Sequence, residues 1–263
     1  MQSATPAAAV QNSEAPRAPV PALGFFGAFA LPYRTVWYLM RRPSLWPLSL
    51  VPTFIFFVLW AGLFAGLMAI IEHVVNAYWL AKLDGLLGAM PRLHLARLLG
   101  GAITGYTAYK ATKVLSAVPL DMLGEQVERL EGARPLPRAP WIDGVGRSLR
   151  VSLFGLALLL GGTWCIGMLT ATVPPAAFVT GPMQIALIAL TAAWDMLDYP
   201  YGRRHFGVRA RLLAIREQSA ASLGFGCGYL VMLAVPGMIF VAIVVGSVAA
   251  TRLVIQNERA ATT

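Results

Sequence analysis

Charge is scarce in this sequence. Of 263 residues, 13% are Asp, Glu, Lys or Arg and 57% are hydrophobic, whereas a soluble domain carries about a quarter charged residues. No charged residue falls between Arg42 and Glu72, between Arg150 and Asp195, or between Glu217 and Arg252. Each gap is longer than the ~20 apolar residues that cross a bilayer as a helix. Three such gaps exclude a soluble fold and predict an all-α integral membrane protein in contact with the lipid bilayer. Cysteine is scarcer still: Cys165 and Cys227 both lie in apolar segments with no CxxC spacing. That rules out a disulfide framework and reads as two small core residues.

Acidic residues are also few, 12 against 21 Lys and Arg, for a net charge of +9. In a soluble chain that balance would suggest nucleic acid. Here cytoplasmic loops rich in Lys and Arg explain it, and no basic stripe interleaved with aromatics is present, so no nucleic-acid partner is expected. His73, His94 and His205 are scattered, no HExxH occurs, and no Ser, Cys or Thr stands in a nucleophile motif. Gly224-Phe225-Gly226-Cys227-Gly228 lacks the preceding strand that a dinucleotide site requires, and its small residues suit helix packing instead. No catalytic residue, metal site or cofactor is expected.

Residues 1–22, rich in Ala and Pro, predict a disordered tail. The membrane domain is expected over 23–256, with a short cytoplasmic tail over 257–263. Phe25, Phe26, Tyr33, Arg34, Trp37, Tyr38, Arg41 and Arg42 fit an amphipathic N-terminal helix at the headgroup level. Pro43 and Pro47 predict a break before the first crossing, which runs from Leu45 to Ile71 and carries a Gly62/Gly66 pair spaced for helix packing. Leu86–Leu98 reads as a short interfacial helix, and a second crossing is expected from Leu98 to Leu120. Tyr106, Lys110 and Lys113 share one face of that crossing at i, i+4 and i+7. The lysines either line a polar cavity or snorkel to the headgroups; snorkelling is favoured because the helix end is about two turns away. Asp121–Arg150 predicts a short helix and a Pro-rich loop.

The remaining apolar blocks are each interrupted by proline and glycine: Val151–Trp194 at Val173-Pro174-Pro175 and at Gly181-Pro182, and Leu223–Thr251 at Val235-Pro236-Gly237. Each predicts a Pro-broken helical hairpin that either spans or re-enters the membrane. With both termini cytoplasmic, only Lys82, Arg92 and Arg97 of the 21 cations fall outside, which leaves 18 inside and a strong positive-inside bias.

Two constellations bear on function. Asp195 and Asp198 stand at i and i+3, and paired carboxylates can bind metal or transfer protons. No third ligand accompanies them, and the simpler expectation pairs one of them with Arg203 or Arg204. Lys110, Lys113, Asp195, Asp198, Arg203 and Arg204 together are expected to form a polar pathway or a structural network. Arg41 and Arg42 precede the N-terminus of the first crossing, where free N–H groups and the helix dipole favour an anion, and Ser44 is placed to cap that helix. These three are the candidate anion-binding residues.

The order Pro119-Leu120-Asp121-Met122-Leu123-Gly124-Glu125-Gln126-Val127-Glu128, Leu197-Asp198-Tyr199-Pro200, the Arg-rich stretch Arg203–Arg216 and Leu223-Gly224-Phe225-Gly226 resembles the CysZ-type sulfate transporters, which share a domain with the eukaryotic etoposide-induced protein. The resemblance covers about residues 23–256. It implies two long transmembrane helices, an amphipathic N-terminal helix and two hairpins that only partly enter the membrane. It also implies sulfate uptake across a bacterial inner membrane for cysteine synthesis, by a homo-oligomer. The family's sulfate-binding loop follows a Pro-Gly-Leu-Arg-like pattern. Here the loop reads Pro43-Ser44-Leu45-Trp46, and the nearest cations are Arg41 and Arg42, one turn earlier.

Overall fold

The computed structural model describes residues 23–74, 89–133, 141–235 and 237–261, with the side chains of 71–99 and 141–149 left aside. The expected tail over 1–22 lies outside the described residues. Ten α-helices are present among them and no strand: α1 Phe25–Phe29, α2 Leu31–Met40, α3 Trp46–Val74, α4 Ala89–Leu115, α5 Ala117–Leu130, α6 Trp141–Thr172, α7 Ala177–Arg203, α8 Val208–Glu217, α9 Ser219–Leu233 and α10 Ile239–Ala261. Stretches within α3, α6, α7 and α10 are long and apolar enough to cross a membrane.

The break before the first span is real. A 3-10 turn over Pro43–Leu45 separates α2 from α3, and the Trp46 indole N–H donates to the Leu39 carbonyl at 2.9 Å, fixing the angle between the two helices. The second crossing differs from expectation. No separate helix covers 89–98, because α4 runs unbroken from Ala89 and stops at Leu115, where Ser116 leaves helical geometry. Proline within the first turn of α4, where the N–H is unpaired in any case, does not break it. Residues Ala117–Leu120, expected to finish that crossing, instead start the amphipathic α5. Its buried Leu120, Leu123, Gly124, Val127 and Glu128 follow the i, i+3, i+4, i+7, i+8 spacing of one helix face. Gly132, at φ +69°, lets the chain leave α5, with the Ala133 N–H closing on the Glu128 carbonyl at 2.9 Å.

The first hairpin is α6/α7, joined by a 3-10 turn over Pro174–Ala176. Gly181-Pro182 does not interrupt it: Pro182 lies inside α7. Hydrogen bonds on either side hold that stretch helical, Thr170 Oγ1 to Thr180 Oγ1 at 2.8 Å and Gln184 Nε2 to Thr163 Oγ1 at 2.8 Å. In an apolar surrounding such bonds offset the single N–H that proline removes. Helix α6 starts at Trp141, inside the stretch expected as loop, and residues 134–140 of that stretch lie outside the described residues. The second hairpin is α9/α10, turned at Gly237 with φ +84°.

Helix α10 is the hub. It packs against α2, α3, α5, α7 and α9, and 72% of its apolar stretch is buried within the protein. Phe240 on it receives Phe56, Phe57 and Trp60 of α3 at centroid distances of 5.6–5.7 Å. It continues through Asn257 to Ala261, so residues placed in a tail at the sequence level belong to the last helix. Helices α1 and α2 lie against α9 and α10. In α2, Leu31, Thr35 and Leu39 point inward, while Tyr33, Arg34, Trp37 and Met40 are exposed. Of the cysteines, Cys165 is exposed and Cys227 half-buried; both are free. Cys165 is therefore no core residue: it lies on a face of α6 turned away from α7, the helix against which α6 mainly packs among the described residues.

Candidate functional site

The helix ends that carry most of the cations meet at one end of the bundle, where a network of ion pairs joins them. Arg203, near the end of α7, reaches across to α5: Nη1 lies 2.9 Å from Asp121 Oδ1 and Nη2 lies 2.9 Å from Glu128 Oε2. Arg204 takes the other Glu128 oxygen at 3.2 Å and forks onto Glu258 of α10, with Nη2 to Oε2 at 2.8 Å. Glu128 is 2% exposed, so its charge is viable only because two guanidiniums satisfy it. Arg252 of α10 pairs with Glu131 at 3.0 Å, and Arg211 of α8 pairs with Asp198 of α7.

This corrects the expected pairing. Asp195 pairs with Lys110 and Lys113 and Asp198 with Arg211, while Arg203 and Arg204 take Asp121, Glu128 and Glu258. Residues five to nine apart on one helix are separated by about 8–14 Å along the axis, whereas α4, α5, α8 and α10 bring partners alongside. The two carboxylates also part company: Asp198 turns to α8 and Asp195 to α4. Among the described residues no three His, Cys, Asp or Glu side chains gather as a metal site would need.

Lys110 and Lys113 do not snorkel. Lys110 Nζ lies 2.5 Å from Asp195 Oδ2. Lys113 Nζ donates to the Asp195 carbonyl at 2.9 Å and lies 3.6 Å from Oδ1. The side chains are 31%, 7% and 14% exposed for Lys110, Lys113 and Asp195. Aromatic rings complete the setting: Lys110 lies 5.4 Å from the Tyr106 centroid and Lys113 lies 5.4 Å from that of Tyr199. A partner on a neighbouring helix removes the reason to reach for the headgroups. Next to Lys113, Thr112 and, just past the end of α4, Ser116 have buried hydroxyls without a partner among the described residues.

The register of α3 against α4 places this cluster in depth. Gly101 faces the Phe64 ring at 3.6 Å and Gly105 faces the Trp60 ring at 3.6 Å, so the helices run antiparallel and Lys113 is level with about Pro52. That is six residues above Trp46, or about 9 Å at 1.5 Å per residue.

Arg41 and Arg42 stand between α2 and the turn that opens α3, at the foot of that helix. The Arg41 guanidinium stacks on Trp37 at 4.7 Å and that of Arg42 on Tyr38 at 4.3 Å. Arg252 approaches the same Tyr38 ring at 4.4 Å. Burial raises the Tyr38 hydroxyl pKa and the Glu131 charge adds to this, against the opposing effect of Arg42 and Arg252. Neither Arg41 nor Arg42 makes an ion pair among the described residues. Ser44 sits exposed inside the 3-10 turn, whose N-cap is Arg42; α3 begins at Trp46, so Ser44 falls one residue short of the capping position. Sequence reasoning missed Glu128, Glu131, Arg211 and Arg252. Only Glu128 carried a signal, an acid on the apolar face of an amphipathic helix.

Apolar helices long enough to span, bound together at one end by buried ion pairs, define a polytopic α-helical membrane protein. The chain belongs to the family described as sulfate transporter CysZ/etoposide-induced protein 2.4, whose model matches residues 32–243. That stretch lies within the 23–256 of the resemblance and includes the whole candidate site except Arg252, Glu258 and the rest of the α10 end. No individual curated protein matches the chain.

Proposed function

We propose that this protein moves a small oxyanion, sulfate foremost, across a bacterial inner membrane. Membership of the transporter family supports this reading, and one observation carries it: among the described residues no carboxylate neutralises the cations at the foot of α3. Arg203, Arg204, Arg211 and Arg252 are each held by a carboxylate, while Arg41 and Arg42 rest on aromatic faces. A guanidinium stacked in this way is fixed in orientation and keeps N–H edges for a tetrahedral oxyanion. Together with Ser44 they form the mouth, and Lys113 and Lys110 stand above it on the way inward. The altered loop fits this arrangement, since Trp46 ties α3 to α2 and leaves the anion to Arg41 and Arg42.

The positive-inside bias puts this mouth and both termini in the cytoplasm, and a homo-oligomer is the working assembly. Purified protein in liposomes carries radiolabelled sulfate faster than empty liposomes, and Arg41→Ala with Arg42→Ala cuts the rate about tenfold, as loss of charge-assisted bonds at ~1.5 kcal/mol would do. Flux that is unchanged in the double variant removes these residues from the site. Wild-type liposomes no faster than empty ones leave the protein as a membrane scaffold.

A further inference from the structure

We infer that Asp195 is a tethered competitor for an oxyanion site formed by Lys110 and Lys113, and that an arriving oxyanion displaces its carboxylate. The inference rests on the oxyanion reading above and deepens it by naming an internal site and its control. Two ammoniums share one carboxylate here, at 2.5 and 3.6 Å, so among the described residues the cluster keeps one uncompensated positive charge. Nearby carboxylates do not supply the difference: Asp198, one turn away on α7, is paired with Arg211, and Asp121 and Glu128 are taken by Arg203. An ammonium carries three donors. Lys113 spends one on the Asp195 backbone carbonyl and stands farther from the carboxylate than Lys110 does, at 3.6 Å.

Thr112 in α4 and Ser116 just past its end add two buried hydroxyls without a partner among the described residues, on the Lys113 side of the helix rather than the Lys110 side. Tyr109, Thr112, Lys113 and Ser116 stand at i, i+3, i+4 and i+7 and share that face. Excess positive charge and unused hydroxyl donors are the groups a dianionic tetrahedral oxyanion takes up, and a monovalent carboxylate satisfies only part of them. The carboxylate holds the lysines in place when no substrate is present, since a lone ammonium among apolar helices is costly. When an oxyanion comes up from Arg41 and Arg42, it replaces the carboxylate at both ammoniums. The carboxylate is then free to return and drive release.

The test is sulfate binding by calorimetry to the full purified chain in detergent, in chloride buffer. Asp195→Asn removes the competing charge and keeps the shape. It should bind sulfate about tenfold more tightly than wild type, the effect of a neighbouring like charge removed at close range. Asp195→Glu should restore wild-type affinity, and Lys113→Gln should abolish the gain when added to Asp195→Asn. An Asp195→Asn variant that binds no tighter than wild type, or a gain that survives Lys113→Gln, overturns the inference. Where Asp195→Asn unfolds in chloride, sulfate should restore its thermal transition; failure to do so also overturns it. Calorimetry does not depend on transport. Absent wild-type flux with tighter sulfate binding by Asp195→Asn therefore sinks the transport reading alone, and normal flux with no tighter binding sinks this inference alone.

Discussion

Arg211 is among the largest side chains fully enclosed by this protein. Its guanidinium meets Asp198, and its Nε donates to the Phe206 carbonyl at 2.9 Å. A buried charge of this kind is tolerable only with its partner, and removing one side of such a pair costs about 3–5 kcal/mol. Asp198→Asn should therefore lower the thermal transition of the detergent-solubilised protein substantially. Arg211→Met added to it should recover most of the loss, because no lone charge then remains. The exposed pair Arg129–Glu125 sets the contrast. Arg129 is 69% exposed, and pairs in that setting are worth ~0–1 kcal/mol, so Arg129→Ala should leave the transition where it was. A loss of equal size in both would show that α8 is held by something other than its buried pair.

At the scale of elements, α9 shows why its sequence is so poor in bulk. A Cβ on Gly224 or Gly228 would run into the backbone of α1 at Phe25 and Phe29, and one on Gly226 into the backbone of α7 at Ala189. Alternate glycines thus admit a helix on each side, which is what the motif Gly224-Phe225-Gly226-Cys227-Gly228 suggested when read as packing. The Gly62/Gly66 pair of α3 suggested the same, yet among the described residues nothing lies within 4 Å of a Cβ at either position. Spacing alone cannot separate the two cases, since it reports a face and not what lies across it. Gly226→Ala should give protein that aggregates or elutes heterogeneously in size-exclusion chromatography, while Gly62→Ala should elute as wild type. Normal elution of Gly226→Ala would mean that α7 and α9 separate more easily than their contact implies.

The sequence made other features of the elements legible for physical reasons. Uncharged runs marked the spans because charge is costly in hydrocarbon, and Pro43, Val173-Pro174-Pro175 and Val235-Pro236-Gly237 marked turns because proline ends hydrogen-bond ladders. Gly181-Pro182 misled, since the bonds from Thr170 and Thr163 that keep α7 helical come from another helix. The same cause hid the partners of Lys110, Lys113, Asp195, Arg203 and Arg204. Each pair joins helices roughly 50–85 residues apart in sequence, and periodicity within one helix carries no information about its neighbours.

Over the whole molecule, the ion pairs place α5 and the ends of α7 and α10 together, and the Tyr38 ring, shared by Arg42 and Arg252, brings the foot of α3 to them, which puts the hairpin turns near Ala177 and Val235 at the opposite end. Helix α10 has 23 residues and α9 only 15, or about 35 and 22 Å. The first is long enough for the hydrocarbon core and the second falls short of it, so the second hairpin is where crossing and re-entry must be told apart. Single cysteines placed in a background with Cys165 and Cys227 replaced by serine settle this when labelled by a membrane-impermeant maleimide in spheroplasts. Arg209→Cys and Ala261→Cys should react only after permeabilisation, and Ala177→Cys should react from outside. Val235→Cys then decides the hairpin. Labelling from outside means that α9 and α10 cross, with the bilayer thinned around the shorter helix. No labelling from either side means that the turn stays within the membrane. If Arg209→Cys and Ala261→Cys label from outside and Ala177→Cys does not, the bundle stands and its orientation is inverted, which would contradict the 18-to-3 distribution of its cations.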